Sequence, residues 1–528
     1  MNNNHFLMAS EYAKKFMRDI QKKVYSTPAL NNMLNVTSEI NYAVEYHLRD
    51  KDDGILVKIS SLIEELEGDN VSNKRKTEIY NEIKELEPSE DIKYIILIER
   101  LIANSENYNF GIGVEEESSQ PLCYNGFYWE PMTVPLVKEF LAEIATMSGF
   151  HYYYMRLTKN LNRLYEQFVN LATLPTYEVS ESEVKINLQN GTFVVTKERQ
   201  WLKDFDKSDF FKYQLPFEYN QESTCPTFLN FLNEVLPEKE SQMILSEYLG
   251  YVFIKGLKLE KCLILYGTGS NGKSVVFDIV SALLGNNNIC NYSLSNLCND
   301  NGYARASLEN FLLNYSSEIG GTQSSADTIK KLISNEPIEA RFPYGKPFIL
   351  RDYCKFMFNA NTLPREKEYT HAYWRRFILL NFDVTIEDSK QDKGLANKII
   401  ATELSGIFNW VLEGLYRLLK NENFTESTKS NELLENVKKE SDYVALFLDS
   451  KGYMPSGDIA HKISLAQLRK EFEAWCHIEN ITYTISPNQF WKRLEFHKYT
   501  MFTGSGGQRF TMIKDSNPFN TFEKIEEL

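Results

Sequence analysis

The 528 residues carry 58 Lys and Arg against 72 Asp and Glu, a formal net charge of −14, with 43% hydrophobic and 13% aromatic residues. That is ample apolar material for packed cores, which excludes a disordered polymer, and the length suits two to four domains. No apolar run reaches the roughly 20 residues that cross a bilayer, Met1 to His5 opens no signal peptide, and seven cysteines without a C-x-x-C pair exclude a zinc framework, so a cytoplasmic, membrane-free setting is expected.

Residues 1–175 are expected to form a mostly helical N-terminal domain with one hairpin. Helical spacing of apolar residues runs over 10–24, 55–66 and 76–86, with turns at 50–54 and 67–70. Asn125-Gly126 between aromatic flanks predicts a hairpin, and helices follow over 136–147 and 157–171. Residues 176–245 form a second region. Asn190-Gly191 joins two strands, and helices cover 227–235 and 240–254. Asp204 and Asp206 have the spacing of a two-metal carboxylate pair, but no apolar strand precedes them and Lys203 and Lys207 flank them. A loop is expected there.

Residues 246–425 contain the stretch with the clearest chemistry, Gly267-Thr268-Gly269-Ser270-Asn271-Gly272-Lys273-Ser274. It fits the G-x-x-x-x-G-K-[ST] phosphate loop at every fixed position. The apolar run Cys262 to Tyr266 precedes it as a strand, and a helix from Val275 to Leu284 follows. Glycines let successive backbone N–H groups turn toward phosphate oxygens, and the helix N-terminus adds its dipole. Lys273 then reaches the β- and γ-phosphates of ATP, and the Ser274 hydroxyl ligates Mg²⁺.

Phe311 to Glu318 is a strand ending in an acid, 45 positions after Lys273, placed to polarise water and support the metal. A helix and a hairpin follow, with Arg341, Tyr344 and Lys346 near the tip. The strand Lys355 to Asn361 ends in an asparagine that can orient the attacking water. Arg375-Arg376, before the strand Phe377 to Leu380, suit a finger that reaches a neighbour's γ-phosphate. Such a finger implies a head-to-tail ring.

Residues 426–457 are expected as a linker, with the polar stretch 422–440 read as either helix or linker, and 458–528 as a winged-helix-like domain. Ser464 caps one helix, Ser486-Pro487 starts a second, and Gly504 to Gly507 joins two strands. Between 458 and 514 eight Lys and Arg stand against five Asp and Glu, opposite in sign to the whole chain. Lys492 and Arg493 on the second helix, with Arg509 on the hairpin, are the candidate DNA contacts.

In this order the motifs resemble the superfamily 3 helicases of the AAA+ class, in the branch of phage, plasmid and pathogenicity-island replication proteins, often fused to a primase. The matching pieces are the phosphate loop, the Ser-Ser-Glu318 strand, Lys331-Leu-Ile-Ser334 with its basic hairpin, Asn361-Thr-Leu-Pro364, Trp374-Arg-Arg376, and Leu404 to Gly414. The resemblance implies an α/β fold with an AAA+ P-loop core, flanked by the helical N-terminal region and the winged helix. It assigns the Walker A roles to Lys273 and Ser274, the Walker B acid to Glu318, the sensor to Asn361 and the finger to Arg375 or Arg376. It also implies a homo-hexamer that threads single-stranded DNA past Arg341 to Lys346; the resemblance covers about residues 185 to 420, and duplex origin recognition is expected of the C-terminal module on its own winged-helix pattern. A primase–helicase and a non-helicase DNA-dependent ATPase are the alternatives.

Overall fold

The computed structural model describes residues 72–515 together with 61, 62 and 65, apart from 87–89, 108–110, 117, 176–182, 320–325, 362–370, 388, 390 and 482–484. The helix expected over 10–24, most of that over 55–66, the turns at 50–54 and 67–70, and Thr362 to Pro364 lie outside the described residues.

The first described unit runs α1 (Asn73–Leu86), α2 (Glu90–Asn107), β1 (Gly111–Val114), β2 (Pro121–Tyr124), β3 (Trp129–Pro131), α3 (Val134–Met147) and α4 (Thr158–Leu171). The strands form an antiparallel sheet in the order β1-β2-β3. The turn between β2 and β3 follows from Asn125, whose side-chain oxygen accepts the N–H groups of Phe127 and Tyr128 at 3.0 and 2.9 Å. Helices α2, α3 and α4 bury Leu97, Leu101, Phe140, Leu141 and Phe168 in one core. The Trp129 indole donates to the Lys207 carbonyl at 3.0 Å and ties this unit to the next.

A second antiparallel sheet, β4 (Val184–Leu188), β5 (Gly191–Val195) and β6 (Gln200–Lys203), is followed by α5 (Pro226–Val235) and α6 (Lys239–Tyr251). Asn190 sits in the predicted β4–β5 turn. Asp206 caps a short helical turn by accepting the Ser208 N–H at 2.8 Å, and Asp209 pairs with Lys185 and Lys203 at 2.7 Å. The expected loop is therefore a closed ionic turn.

The chain then runs β7 (Cys262–Tyr266), α7 (Lys273–Leu284), β8 (Ile289–Cys290), β9 (Leu313–Ser316), α8 (Ala326–Ile333), β10 (Ile338–Ala340), β11 (Phe348–Leu350), β12 (Lys355–Ala360), β13 (Phe377–Asn381) and α9 (Leu395–Asn421). Five of these strands form a wholly parallel sheet in the order β13-β7-β12-β9-β8, and β10 and β11 pair as a separate hairpin. Strand alternation divides the apolar side chains between two faces. Leu263, Leu265, Met357 and Leu380 join a core that includes β4, β5 and residues of α5, α6, α7 and α9. Cys262, Ile264, Phe358 and Leu379 join the opposite core with α8 and the hairpin. Sheet β4–β6 thus shares a hydrophobic core with the parallel sheet.

Helices α6 and α9 approach to backbone contact. A Cβ on Gly414 would stand 2.4 Å from the Ser246 carbonyl carbon, and one on Gly250 would stand 2.7 Å from Leu415. Beside this crossing the buried Glu247 accepts from Arg417 at 2.5 Å and from the Thr425 backbone and hydroxyl at 2.8 and 2.6 Å, so its charge is fully met.

Within 426–457, expected as a helix or linker over its first part and as linker beyond, the chain is mostly helical: α10 (Thr428–Ser441) and α11 (Tyr443–Ser450). Leu433, Leu434 and Val437 of α10 pack with Phe377 and Leu379 of β13, whereas Tyr443, Val444, Phe447 and Leu448 of α11 enter the C-terminal core. The polar composition concealed two short apolar faces that serve different units. After β14 (Tyr453–Pro455) and β15 (Lys462–Ser464), the C-terminal core is completed by α12 (Leu465–Ile478), α13 (Pro487–Phe496), β16 (Met501–Thr503) and β17 (Arg509–Asp515). Strand β17 pairs with the other three strands. Ser486 and Gln489 form a reciprocal capping box at the start of α13.

Candidate functional site

Strand β7 lies between β13 and β12, and the phosphate loop leaves its carboxyl end. The loop conformation follows from its residues. Gly269 and Gly272 take φ of +118° and +83°, and Ser270 takes +50°. Helix α7 starts at Lys273, so the N–H groups of its first turn face the loop. Space fixes Gly267 and, a second time, Gly272. A Cβ on Gly267 would collide with the Phe382 carbonyl at 2.3 Å, and one on Gly272 would press on Val235 and Phe231 of α5.

Lys273 is buried, and burial holds its ammonium pKa below the usual lysine value. Its Nζ donates to the Gly267 carbonyl at 2.7 Å and the Asn271 side-chain oxygen at 2.9 Å. Asn271 in turn donates to the Phe382 carbonyl at 2.7 Å, and the Ile386 N–H donates to the Ser270 carbonyl at 2.8 Å. The segment after β13 therefore clasps the loop from the side. Thr268, Ser270 and Ser274 are exposed on the loop, and Val275 is half-buried behind it.

The parallel register brings other predicted residues to the same edge. Tyr266 pairs with Ala360, the Gly267 N–H donates to the Ala360 carbonyl at 3.0 Å, and Asn361 follows as an exposed residue. Ser316 pairs with Phe358, and the exposed Glu318 lies two residues beyond it. The Ser316 hydroxyl donates to the Glu318 carbonyl at 2.8 Å. Strands β9 and β12 are also cross-linked by the buried Tyr315 hydroxyl, which donates to Asn359 at 2.9 Å. Phosphate loop, acid and asparagine thus share one edge of the sheet. The Ser274 hydroxyl and the Glu318 carboxylate are oxygen donors of the kind Mg²⁺ takes, and the backbone N–H groups of the loop suit phosphate oxygens.

Arg375 and Arg376 occupy the opposite edge. Strand β13 runs parallel to β7 with Phe377 beside Cys262, so both arginines precede the amino ends of the strands. Roughly 20 Å of strand separates them from the loop of their own chain. Their surroundings differ. Arg376 is 7% exposed, donates to the Ser334 hydroxyl at 3.0 Å and the Ala372 carbonyl, and lies 3.7 Å from Glu260. Arg375 reaches solvent and pairs with Glu260. Of the two fingers expected from sequence, Arg376 is committed to internal bonds, and Arg375 is the one able to meet another molecule. Neither Glu260 nor Ser334 carries a local sequence signal for these contacts.

The hairpin β10–β11 carries the other predicted residues. Tyr344 is fully exposed with φ of +62°, Lys346 is exposed, and Arg341 donates to the Tyr303 hydroxyl at 3.1 Å. In the C-terminal unit the prediction for Arg493 is corrected. Its side chain is 1% exposed and pairs with Asp442 at 3.3 Å, beside His497 at 2.8 Å from the same carboxylate oxygen. A buried guanidinium with an internal partner is part of the core and has no surface to offer DNA. Arg509 stays at the surface, bonded to Asn488 and 5.1 Å over the Trp491 ring, and Lys492 is exposed on the same helix.

Residues 118–237 match the family described as "D5 N terminal like", and residues 265–376 match "Family of unknown function (DUF5906)". The second span contains the phosphate loop, Glu318, the hairpin, Asn361 and both arginines. Among solved structures, the chain is similar to the A form apo structure of the NrS-1 C terminal region, with 12% identity and a TM-score of 0.44, over 78% of this chain and 98% of that one. An apo structure of NrS-1 C terminal region 305–718 gives 13% identity and a TM-score of 0.43, over 80% and 99%. No curated protein matches the chain. Among the described residues no helix is long and apolar enough to cross a membrane, and no cluster of three metal-ligating side chains occurs.

Proposed function

We propose that this chain is an ATP-hydrolysing, ring-forming DNA helicase of replication, built on an AAA+ core. The observation that carries the proposal is the division of the site between the two edges of the parallel sheet. Lys273, Ser274, Glu318 and Asn361 gather at the carboxyl edge, and Arg375 is presented at the amino edge. A nucleotide on the loop is out of reach of its own chain's Arg375, so a finger acts only on a neighbour. Head-to-tail repetition of that contact closes a ring. The match to the D5 N terminal like family supports a replication protein of primase–helicase type.

Each role follows from placement. With a nucleotide bound, Lys273 exchanges its bonds to Gly267 and Asn271 for phosphate oxygens. Ser274 and Glu318 would hold Mg²⁺, which would supply charge neutralisation on the phosphates. Glu318 and Asn361 orient the attacking water, and Arg375 of the adjoining subunit meets the developing charge. The hairpin with Lys346 grips single-stranded DNA through its phosphates. Lys492 and Arg509 offer the C-terminal unit a duplex contact.

The test pairs ATP turnover with strand displacement on a forked DNA. Wild type should do both, and Lys273→Ala should do neither while melting normally. Near-normal turnover by Lys273→Ala would remove the nucleotide assignment. Turnover without displacement in the wild type would favour a non-helicase DNA-dependent ATPase.

A further inference from the structure

Beside the hairpin β10–β11 opens a cleft of about 340 Å³, lined by Tyr292, Asn296, Asn299, Asn301, Tyr303 and Phe342. None of these residues belongs to the phosphate loop or to the predicted acid, asparagine and finger. The cleft is held open by internal bonds. Arg305, itself buried, donates to the carbonyls of Leu297 and Asn299 at 2.7 and 2.8 Å and to the Glu339 carbonyl at 2.8 Å. One guanidinium thus staples the loop 297–299 to strand β10. Gly302 turns the chain with φ of +70°, and its carbonyl accepts the Arg341 N–H. Phe342 stacks on Phe348 with centroids 5.6 Å apart, which fixes the other wall.

The lining has a definite chemistry. Tyr303 and Phe342 present exposed aromatic rings. The Asn299 and Asn301 side-chain oxygens accept the N–H groups of Asn301 and Tyr303 at 3.1 and 3.0 Å, which leaves their amide N–H₂ groups as donors. The Asn296 side-chain amide makes no hydrogen bond among the described residues, so both its donor and its acceptor are available. Arg341 lies 5.5 Å over the Tyr303 ring and Lys346 follows at the exposed hairpin tip, giving positive charge near the mouth. Asp300 is the one carboxylate between residues 291 and 307.

We propose that this cleft takes one base of a single-stranded nucleic acid whose backbone passes Arg341 and Lys346. Flat aromatic walls match the face of a base, and amide groups match its hydrogen-bonding edge. A phosphate would use neither wall. The volume falls in the range of pockets that hold a single small group. The hairpin then grips a strand by charge, while the adjacent cleft registers that a base is present. This rests on the nucleic-acid role of the hairpin and is independent of ATP turnover and of the ring.

The experiment compares, on the full chain without nucleotide, a labelled single-stranded oligonucleotide with the same strand carrying abasic sites. Both have equal phosphate charge. The base-bearing strand should bind about tenfold more tightly, the size expected of one lost base–aromatic stack. Asn296→Ala and Tyr303→Leu should each shrink that ratio, and Tyr303→Phe should preserve it. Lys346→Ala should weaken both strands by the same factor. A 2-aminopurine in the strand should be quenched by wild type and less by Tyr303→Leu. Asn296 is exposed and without a side-chain partner, so its variant folds and keeps the test decisive. Equal binding of the two strands by wild type, or a ratio unchanged in both the Asn296 and Tyr303→Leu variants, would overturn the proposal. Absence of binding to any strand would overturn it together with the DNA role of the hairpin. A base-dependent ratio without strand displacement would leave the cleft standing and remove the helicase.

Discussion

At the scale of single residues, two adjacent arginines show how burial separates roles that sequence leaves equal. Arg376 donates to the buried Ser334 hydroxyl and to the Ala372 carbonyl and lies beside Glu260, so Arg376→Ala leaves the Ser334 hydroxyl without its donor and should cost about 1–3 kcal/mol of stability. Arg375→Ala removes a half-exposed partner of Glu260 and should change the melting temperature little while lowering ATP turnover at least tenfold. Melting curves beside steady-state hydrolysis distinguish the two; a normal turnover in Arg375→Ala removes the finger. A second residue-scale prediction concerns Asp442. Burial alone would raise its carboxyl pKa, but the His497 hydrogen bond and the Arg493 charge hold it below the usual carboxylate value. A depressed folded-state pKa stabilises the fold above the unfolded value, near 3.9, and that contribution is lost as pH falls through the folded value. The C-terminal unit should therefore lose stability on acidification below about pH 4, and Asp442→Asn should flatten that dependence at the expense of stability at neutral pH. Thermal melting across pH reads both effects.

At the scale of elements, the crossing of α6 over α9 depends on two glycines in backbone contact. Gly414→Ala places a methyl against the Ser246 carbonyl and should destabilise the chain by about 1–3 kcal/mol, which denaturant titration measures. On the hairpin, Lys346→Ala should leave ATP turnover stimulated by DNA but lower strand displacement, since the contact proposed for this exposed lysine is to a DNA phosphate and not to the nucleotide. The elements legible in sequence were those with local causes. The strand 262–266 and its loop, the Asn125 and Asn190 turns, and the Ser486-Pro487 helix start each lie within a few residues of their determinants. What sequence left illegible depends on distant partners. Arg493 on a basic helix reads as a DNA contact until Asp442, far back in the chain, is brought against it. The stretch of α10 reads as helix or linker and that of α11 as linker, because each shows only one short apolar face, and each face is completed by another unit. The sheet order, and with it the separation of Arg375 from the loop of its own chain, is likewise set by pairing across long distances.

At the scale of the whole molecule, the two helices of that stretch define where the chain divides. Helix α10 belongs to the parallel sheet through Val437, and α11 belongs to the C-terminal core through Val444 and Phe447. Between them stands Asp442, which caps α11 by accepting the Ala445 N–H and anchors Arg493. The boundary thus falls after Ser441, earlier than the expected start at 458. A chain ending at Ser441 should keep the parallel-sheet core intact and, on the proposed function, retain turnover stimulated by single-stranded DNA. A chain ending at Gly457 should be worse behaved although it is longer, because Tyr443, Val444, Phe447 and Leu448 lose the core that covers them. Solubility and melting of the two truncations test the boundary itself. The shorter chain then tests the division of labour. Lys492 and Arg509 are absent from it, so any preference for a duplex sequence should disappear while forked-DNA displacement persists. If the chain ending at Ser441 still selects the same duplex sequence as the full chain, recognition resides before the parallel sheet, and the C-terminal unit is a protein-contact module.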